Sequence, residues 1–255
     1  MKIDLACNTC AQENNGVATR FIMAGVREDG LYRVHCCRGH YNLIALQETK
    51  FEILFDAGAN AVIDGYFREA VTAFAASLER FYEFYIDVIA TKRNIPPAEF
   101  ETTWRRHLSR WSERQLGAYT ILYLLETHNI PKLLDDTKIA KGIDGEYAGK
   151  SSTDIRNASV HRGYFPTCDE AISFGENILT LVFPVIKALK RTDQDSITRV
   201  VAEHVAKISV KMGMEYPRSF MTRPTILSLV EDVNAAPKIL RAELQKLRLR
   251  REQAQ

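Results

Sequence analysis

The order of apolar and polar positions divides the chain into a short β-patterned start and a long helical body. From Phe67 to Ile89, apolar residues return at i, i+3 and i+4 through Ala70, Val71, Phe74, Leu78, Phe81, Tyr85 and Val88. That spacing predicts one amphipathic helix of about six turns whose stripe is core. A helix is expected over 51–63, ended by Gly65, and another over 98–111, opened by Asn94-Ile95-Pro96-Pro97 because proline fits only a first turn. Leu116 to Leu125 is almost wholly apolar and predicts a buried helix. The polar stretch 135–150, with Gly142, Gly145 and Gly149, predicts a loop. Ser151-x2-Asp154 then predicts a capped helix over about 152–162 that stops at Gly163. Thr167-Cys168-Asp169-Glu170 has the form of a capping box and starts a helix through Ile186, bent near Pro184. Asp195–Met212 carries one apolar face with His204 on it, read as a hydrogen-bonded core histidine. After Pro217, Pro224 and Pro237, Lys238–Arg251 combines leucines with a basic face.

The first 48 residues follow another pattern. Phe21-Ile22-Met23 and Leu31-Tyr32-Arg33-Val34 flank Glu28-Asp29-Gly30, which predicts a β-hairpin over 17–34. Cys7-x2-Cys10 lies before it and Cys36-Cys37-Arg38-Gly39-His40 after it. Two ligand pairs joined by a hairpin can meet around one tetrahedral ion. The second cluster resembles the C-x-x-G-H ending of zinc-ribbon modules. The resemblance implies a structural Zn2+ held by Cys7, Cys10, Cys36 and His40, with Cys37 as the alternative third ligand. A redox role for the CxxC is disfavoured, because no helix pattern follows it at once.

Composition narrows the classes. At 46% apolar and 26% charged, the chain is patterned as a globular protein. A net charge of +2 confines any nucleic-acid surface to local patches, and Arg105, Arg106, Arg110 and Arg114 make one side of their segment basic. No apolar run approaches the roughly 18 residues of a membrane span, and Met1-Lys2-Ile3-Asp4 lacks a signal-type apolar region. A cytoplasmic protein with no membrane partner is expected. Cysteines crowded before residue 38 favour a metal site over a disulfide framework.

The chemistry concentrates in Arg156-Asn157-x3-His161, followed by Arg162-Gly163-Tyr164. On a helix Asn157 and His161 share a face, and Arg156 is near enough to swing towards it. A fixed cation, a neutral hydrogen-bonding group and a group that titrates near pH 7 suit the holding of a phosphodiester and proton transfer around it. With Pro166-Thr167 beyond, the stretch resembles the signature of the HEPN superfamily, α-helical bundles with an R-x4-6-H motif. The likeness covers about residues 50–190.

It implies a mainly α fold: an N-terminal zinc-ribbon-like module at 1–48, a HEPN-like bundle at 49–191 and a helical extension at 192–255. It implies a metal-independent endoribonuclease with Arg156, Asn157 and His161 catalytic, and Arg162, Tyr164 and, weakly, Glu83 binding substrate or orienting the arginines. RNA, a second copy of the chain and a regulatory protein are the expected partners. Phage defence or growth arrest by a toxin is the role such activity often serves. Toxins of the family that carry R-x4-H-x-Y are regulated on that tyrosine; Tyr164 stands one residue further on, which puts such regulation in doubt. The rival expectation is a non-enzymatic module of the same build that binds nucleic acid or protein.

Overall fold

Phe74 shows what the long apolar stripe accomplishes. A Cβ added at Gly58 or at Gly175 would stand within 3 Å of its ring, so two further helices close on it through their glycines. The computed structural model, which describes residues 2–17, 21–211 and 218–253, is mainly helical with a small β-structured start. It divides into two units, one of residues 1–49 with 198–224 and one of 50–197 with 225–255. The stretch 192–255, patterned as one extension, is thus shared between them. Residues 18–20, Met212 and Pro217, used in the sequence expectations, lie outside the described residues.

In the larger unit, α2 (Lys50–Ile63) and α3 (Phe67–Lys92) pack along their lengths. α3 also meets α5 (Ser112–Thr127), α6 (Ser152–His161) and α7 (Cys168–Thr192). Between α3 and α5, α4 (Pro97–Thr103) runs into a wider π-helical turn at Trp104–Leu108. α9 (Leu240–Gln253) lays Leu240 and Leu244 into the core beside α2 and α7.

The irregular segment before α9 has backbone groups that must find partners. α2 supplies acceptors: buried Asp56 takes the Ile226 N–H at 2.9 Å and buried Glu52 the Leu229 N–H at 3.0 Å. α7 supplies donors, with Lys187 on the Ala235 carbonyl at 2.5 Å and Lys190 on that of Glu231. Burial lowers the Lys190 ammonium below the usual lysine range, with Glu231, Asp232 and Glu52 pulling the other way.

α7 carries a window of mean hydropathy 1.5, long and apolar enough by composition to cross a membrane. No contiguous apolar run marks it, because polar residues interrupt; 56% of that window is buried in the fold, as in a core helix. α5 is not the buried helix its composition suggests. Only Gln115 and Tyr119 are buried, while Ile121, Leu124 and Leu125 are exposed. An apolar run without polar interruptions does not indicate which face the core will take.

In the smaller unit, β1 (Lys2–Ala6) pairs antiparallel with β2 (Phe21–Gly25). β3 (Leu31–His35) pairs antiparallel with β4 (Tyr41–Leu46), which pairs in parallel with β5 (Arg218–Met221). The strands expected at 21–23 and 31–34 form, as 21–25 and 31–35, but not as one hairpin: they belong to different sheets. The Arg27–Asp29 ion pair and the Asp29 carboxylate on the Leu31 N–H fold 27–31 back on itself, and each strand finds a partner elsewhere. The hairpin of this unit is β3–β4. Leu31, Leu43 and Ala45 bury with Ile208 of α8 (Gln194–Ser209).

Candidate functional site

Helix α6 begins where Ser151 accepts the Thr153 N–H, and Asp154 adds a carboxylate to its first turn. Its inner residues Ile155 and Ala158 are buried. The 3.6-residue repeat therefore turns Thr153, Arg156, Asn157 and His161 to one open side. They line a cavity of about 570 Å³. α3 closes it with Ala75, Leu78, Glu79 and Tyr82; α5 adds Ser112, Glu113 and Leu116; the short 3-10 turn Leu134–Asp136 adds Leu134 and Asp135. His161 is exposed at this cavity, and so is Arg162.

Arg156 is fixed at both ends of its fork. One nitrogen donates to Glu79 Oε1 at 2.9 Å and the other to Asn157 Oδ1 at 3.0 Å. The Arg156 and Glu79 side chains remain 28% and 32% exposed, so their pair contributes at most about 1 kcal/mol and mainly sets orientation. With its oxygen taken by Arg156, Asn157 has its amide N–H groups to offer a ligand. Asp135 is tied to the Thr153 hydroxyl.

Glu79, not Glu83, is thus the carboxylate that holds the arginine. Glu83 pairs with Arg80 at 2.5 Å, and Arg80 also donates to Gln115 at 3.1 Å. The two glutamates lie one turn apart on α3, and only the position of α6 along α3 separates them. Glu79→Gln is expected to change stability by less than about 1 kcal/mol. A denaturant melt reads that change.

Tyr164 does not reach the cavity lining. After Gly163 its N–H returns to the Ala158 carbonyl, and its hydroxyl donates to Glu170 at 2.9 Å. Burial, then the Glu170 carboxylate, push that hydroxyl up to about 12. The Tyr164 hydroxyl thus braces Glu170. Glu170 is itself fully buried and accepts from the Tyr147 and Thr167 N–H groups as well, closing the capping box of α7.

One helical turn on, the Ser173 hydroxyl takes the Ala140 N–H at 2.8 Å. A further turn on, Asn177 donates to the Lys138 carbonyl and the Ser152 hydroxyl. Glu170, Ser173 and Asn177 form one polar stripe on α7 that pins the loop leading into α6. This stripe was visible as a spacing but passes equally for a solvated face. At Gly145, φ is +132° and an added Cβ would stand 2.2 Å from the Glu170 carboxyl carbon. Gly145→Ala is expected to cost roughly 2–4 kcal/mol, measured by denaturant unfolding.

The cysteine cluster is built from two tight turns. Cys7 caps the short helix α1 (Asn8–Glu13) and its sulfur accepts the Cys10 N–H at 3.4 Å. A helix starts inside the CxxC, at Asn8, so the sequence argument against redox chemistry there does not stand. Cys36 and His40 bracket the β3–β4 turn, where Cys36 N–H bonds the His40 carbonyl and Cys36 Sγ accepts the Arg38 N–H at 3.3 Å. The four ligand atoms of Cys7, Cys10, Cys36 and His40 lie within 4.8 Å of one another. Between the two third-ligand alternatives, Cys36 is buried in the cluster and Cys37 is exposed.

Three of the ligand–ligand edges are close to those around a tetrahedral ion. A zinc site with Zn–S near about 2.3 Å has ligand–ligand edges of about 3.7 Å. Cys10 Sγ lies 3.9 Å from Cys36 Sγ and 3.4 Å from His40 Nδ1, and Cys7 Sγ lies 3.8 Å from His40 Nδ1. Burial, then hydrogen bonds with Cys7 and Cys36, push the Cys10 thiol up to about 11. A metal ion coordinated there would hold the sulfurs as thiolates. The far His40 nitrogen stands 3.6 Å from Glu13, and buried Asn42 donates to Cys7 Sγ at 3.3 Å and to the His40 carbonyl at 2.9 Å. Such outer partners fix ligand orientation. The cluster can hold a metal ion.

Among the described residues this is the one group of three or more ligand side chains close enough to share an ion. No protein-family model, no curated protein and no solved structure matches the chain.

Proposed function

We propose that the chain is a HEPN-type endoribonuclease that cleaves RNA without a catalytic metal and works as a homodimer. The observation that carries this is one cavity presenting an oriented guanidinium, an amide and an exposed imidazole from a single helix face. RNA brings its own nucleophile. His161 takes the proton of the 2′-hydroxyl, whose oxygen attacks the adjacent phosphorus. Arg156, with Asn157 beside it, holds the non-bridging oxygens as charge grows on them. The bond from phosphorus to the 5′-oxygen breaks, and a second imidazole gives that oxygen its proton. The products are a 2′,3′-cyclic phosphate and a 5′-hydroxyl end.

One imidazole does not easily serve both steps at once, so the second is His161 of another copy. Support comes from the exposure of His161 and from exposed Ile121, Leu124 and Leu125 on α5, whose first turn lines the same cavity. Cys7, Cys10, Cys36 and His40 would hold a structural Zn2+ that fixes the fold of the smaller unit and takes no part in cleavage. Defence against phage, or growth arrest, follows as the role of such an activity in a cytoplasmic protein.

The test is incubation of the purified protein with total RNA in magnesium-free, resin-treated buffer, beside His161→Ala and Arg156→Ala. Cleavage by the parent that both changes abolish without loss of folding supports the enzyme. No cleavage by a dimeric parent favours the rival, a binding module of the same build. That rival has one observation behind it: Arg156 is already neutralised by Glu79, and Glu113 and Asp135 add further negative charge to the lining.

A further inference from the structure

The cavity lining sets three carboxylates, Glu79, Glu113 and Asp135, against two guanidiniums, Arg156 and Arg162. Such a balance does not by itself draw in a polyanion. The cations that can do so stand next to it in the chain. Arg105, Arg106, His107 and Arg110 are exposed, and Arg114 follows. Among the described residues Arg105, Arg106 and Arg110 take part in no ion pair; other arginines share that, Arg191, Arg199 and Arg248 among them, but these three are clustered within six residues of one segment.

The backbone that presents them is specialised. Residues 104–108 form a π-helical turn, a form that is rare and must be held in place. Trp104 anchors it from below, buried and stacked with Phe100 at 6.1 Å. Gln115 donates its amide to the Leu108 and Ser109 carbonyls while Arg80 holds that amide's oxygen. Beyond the turn Trp111 is 52% exposed, and the Arg114 guanidinium lies 5.0 Å from its ring centre. Arg114 is itself braced on the His107 carbonyl at 3.1 Å. An indole held with half its surface in water is a stacking platform. The next two residues, Ser112 and Glu113, line the cavity.

We infer that the π-turn and Trp111 form the entry track for single-stranded RNA, with Arg105, Arg106 and Arg110 on successive phosphates and one unstacked base on Trp111. This rests on the ribonuclease reading for the identity of the strand. A duplex keeps its bases stacked on one another, so the platform selects single strands.

The test is binding of a fluorescein-labelled twelve-nucleotide oligouridine (about one long site for such a groove) to the full chain carrying His161→Ala, by anisotropy across a salt series. Combining Arg105→Ala, Arg106→Ala and Arg110→Ala should lower the slope of log affinity against log salt by about 2. Trp111→Ala should weaken binding roughly tenfold or more, and Trp111→Phe should restore most of it. Arg110→Glu alone is a second charge variant at an exposed position, with folding checked by circular dichroism. Unchanged slope and affinity in the triple variant overturn the proposal. So does loss of binding to phosphatidylserine vesicles with RNA binding untouched, which would make the patch a membrane surface. Because binding is read without cleavage, a parent that binds through these residues yet never cuts RNA sinks the nuclease reading and leaves the track standing.

Discussion

His161→Ala should lower RNA cleavage by about 10²- to 10⁴-fold, the usual worth of a positioned proton-transfer group. Because the residue is exposed, stability should be unchanged within about 0.5 kcal/mol. Arg156→Lys should be nearly as damaging as Arg156→Ala. An ammonium cannot reach Glu79 and Asn157 and still present a flat donor edge to two phosphate oxygens, as the guanidinium fork does. The dimer adds a sharper test. If cleavage needs an imidazole from each of two copies, co-expression of parent with a ninefold excess of His161→Ala leaves about 1% of sites intact rather than about 10%. Activity tracking the first power of the parent fraction would place the whole site within one subunit and remove the composite mechanism.

What the sequence disclosed about this site was local. The Ser151 cap, the shared face of Asn157 and His161 and the Thr167–Glu170 box all follow from spacing within a turn or two of helix, and each has its partner in the structure. The choice of Glu79 over Glu83 was not disclosed, because it depends on how far along α3 the helix α6 sits. Nor was the inward facing of Glu170, Ser173 and Asn177, since a polar stripe reads the same whether it meets water or a loop backbone. Tyr164 illustrates the limit: adjacency in sequence placed it with the motif, and one turn of chain after Gly163 sent it to Glu170 instead.

The β-structured unit was legible as chemistry and not as topology. The ligand spacing identified the cluster, and the geometry separates Cys36 from Cys37, neighbours that a tight turn sends to opposite sides. Strand pairing could not be read. β4 lies between β3 and a strand some 170 residues later in the chain, Leu43 opposite Arg218, and no local pattern encodes a partner at that distance. Composition likewise overstated the burial of α5, because leucine and isoleucine carry no label for the face that is to stay open.

Removal of the proposed zinc ion should undo the smaller unit. Its buried apolar residues are few: Ile3, Leu5, Leu31, Tyr32, Leu43, Ile44, Ala45 and Leu46 among residues 1–49, Ile208 from α8, and the cysteines with Ile22 beside them. Such a core is small against the chain entropy of the unit's two segments, 1–49 and 198–224, at roughly 1–2 kcal/mol per residue. A structural zinc site contributes about 10–16 kcal/mol of apparent binding energy, much of it released as folding. Cys10→Ser, or prolonged chelation of the parent, should therefore expose residues 1–49 to proteolysis. The helices of the larger unit should keep their ellipticity. One equivalent of zinc should be released as the unit opens, and faster at pH 6 than at pH 8, because protons compete with the ion for three thiolates and His40. The sign follows from the ligands: metal-bound sulfur is deprotonated, so a lower pH favours the free thiols. A chain that resists protease equally with and without chelator, and yields no zinc on acid release, would show that the four side chains meet without an ion to hold.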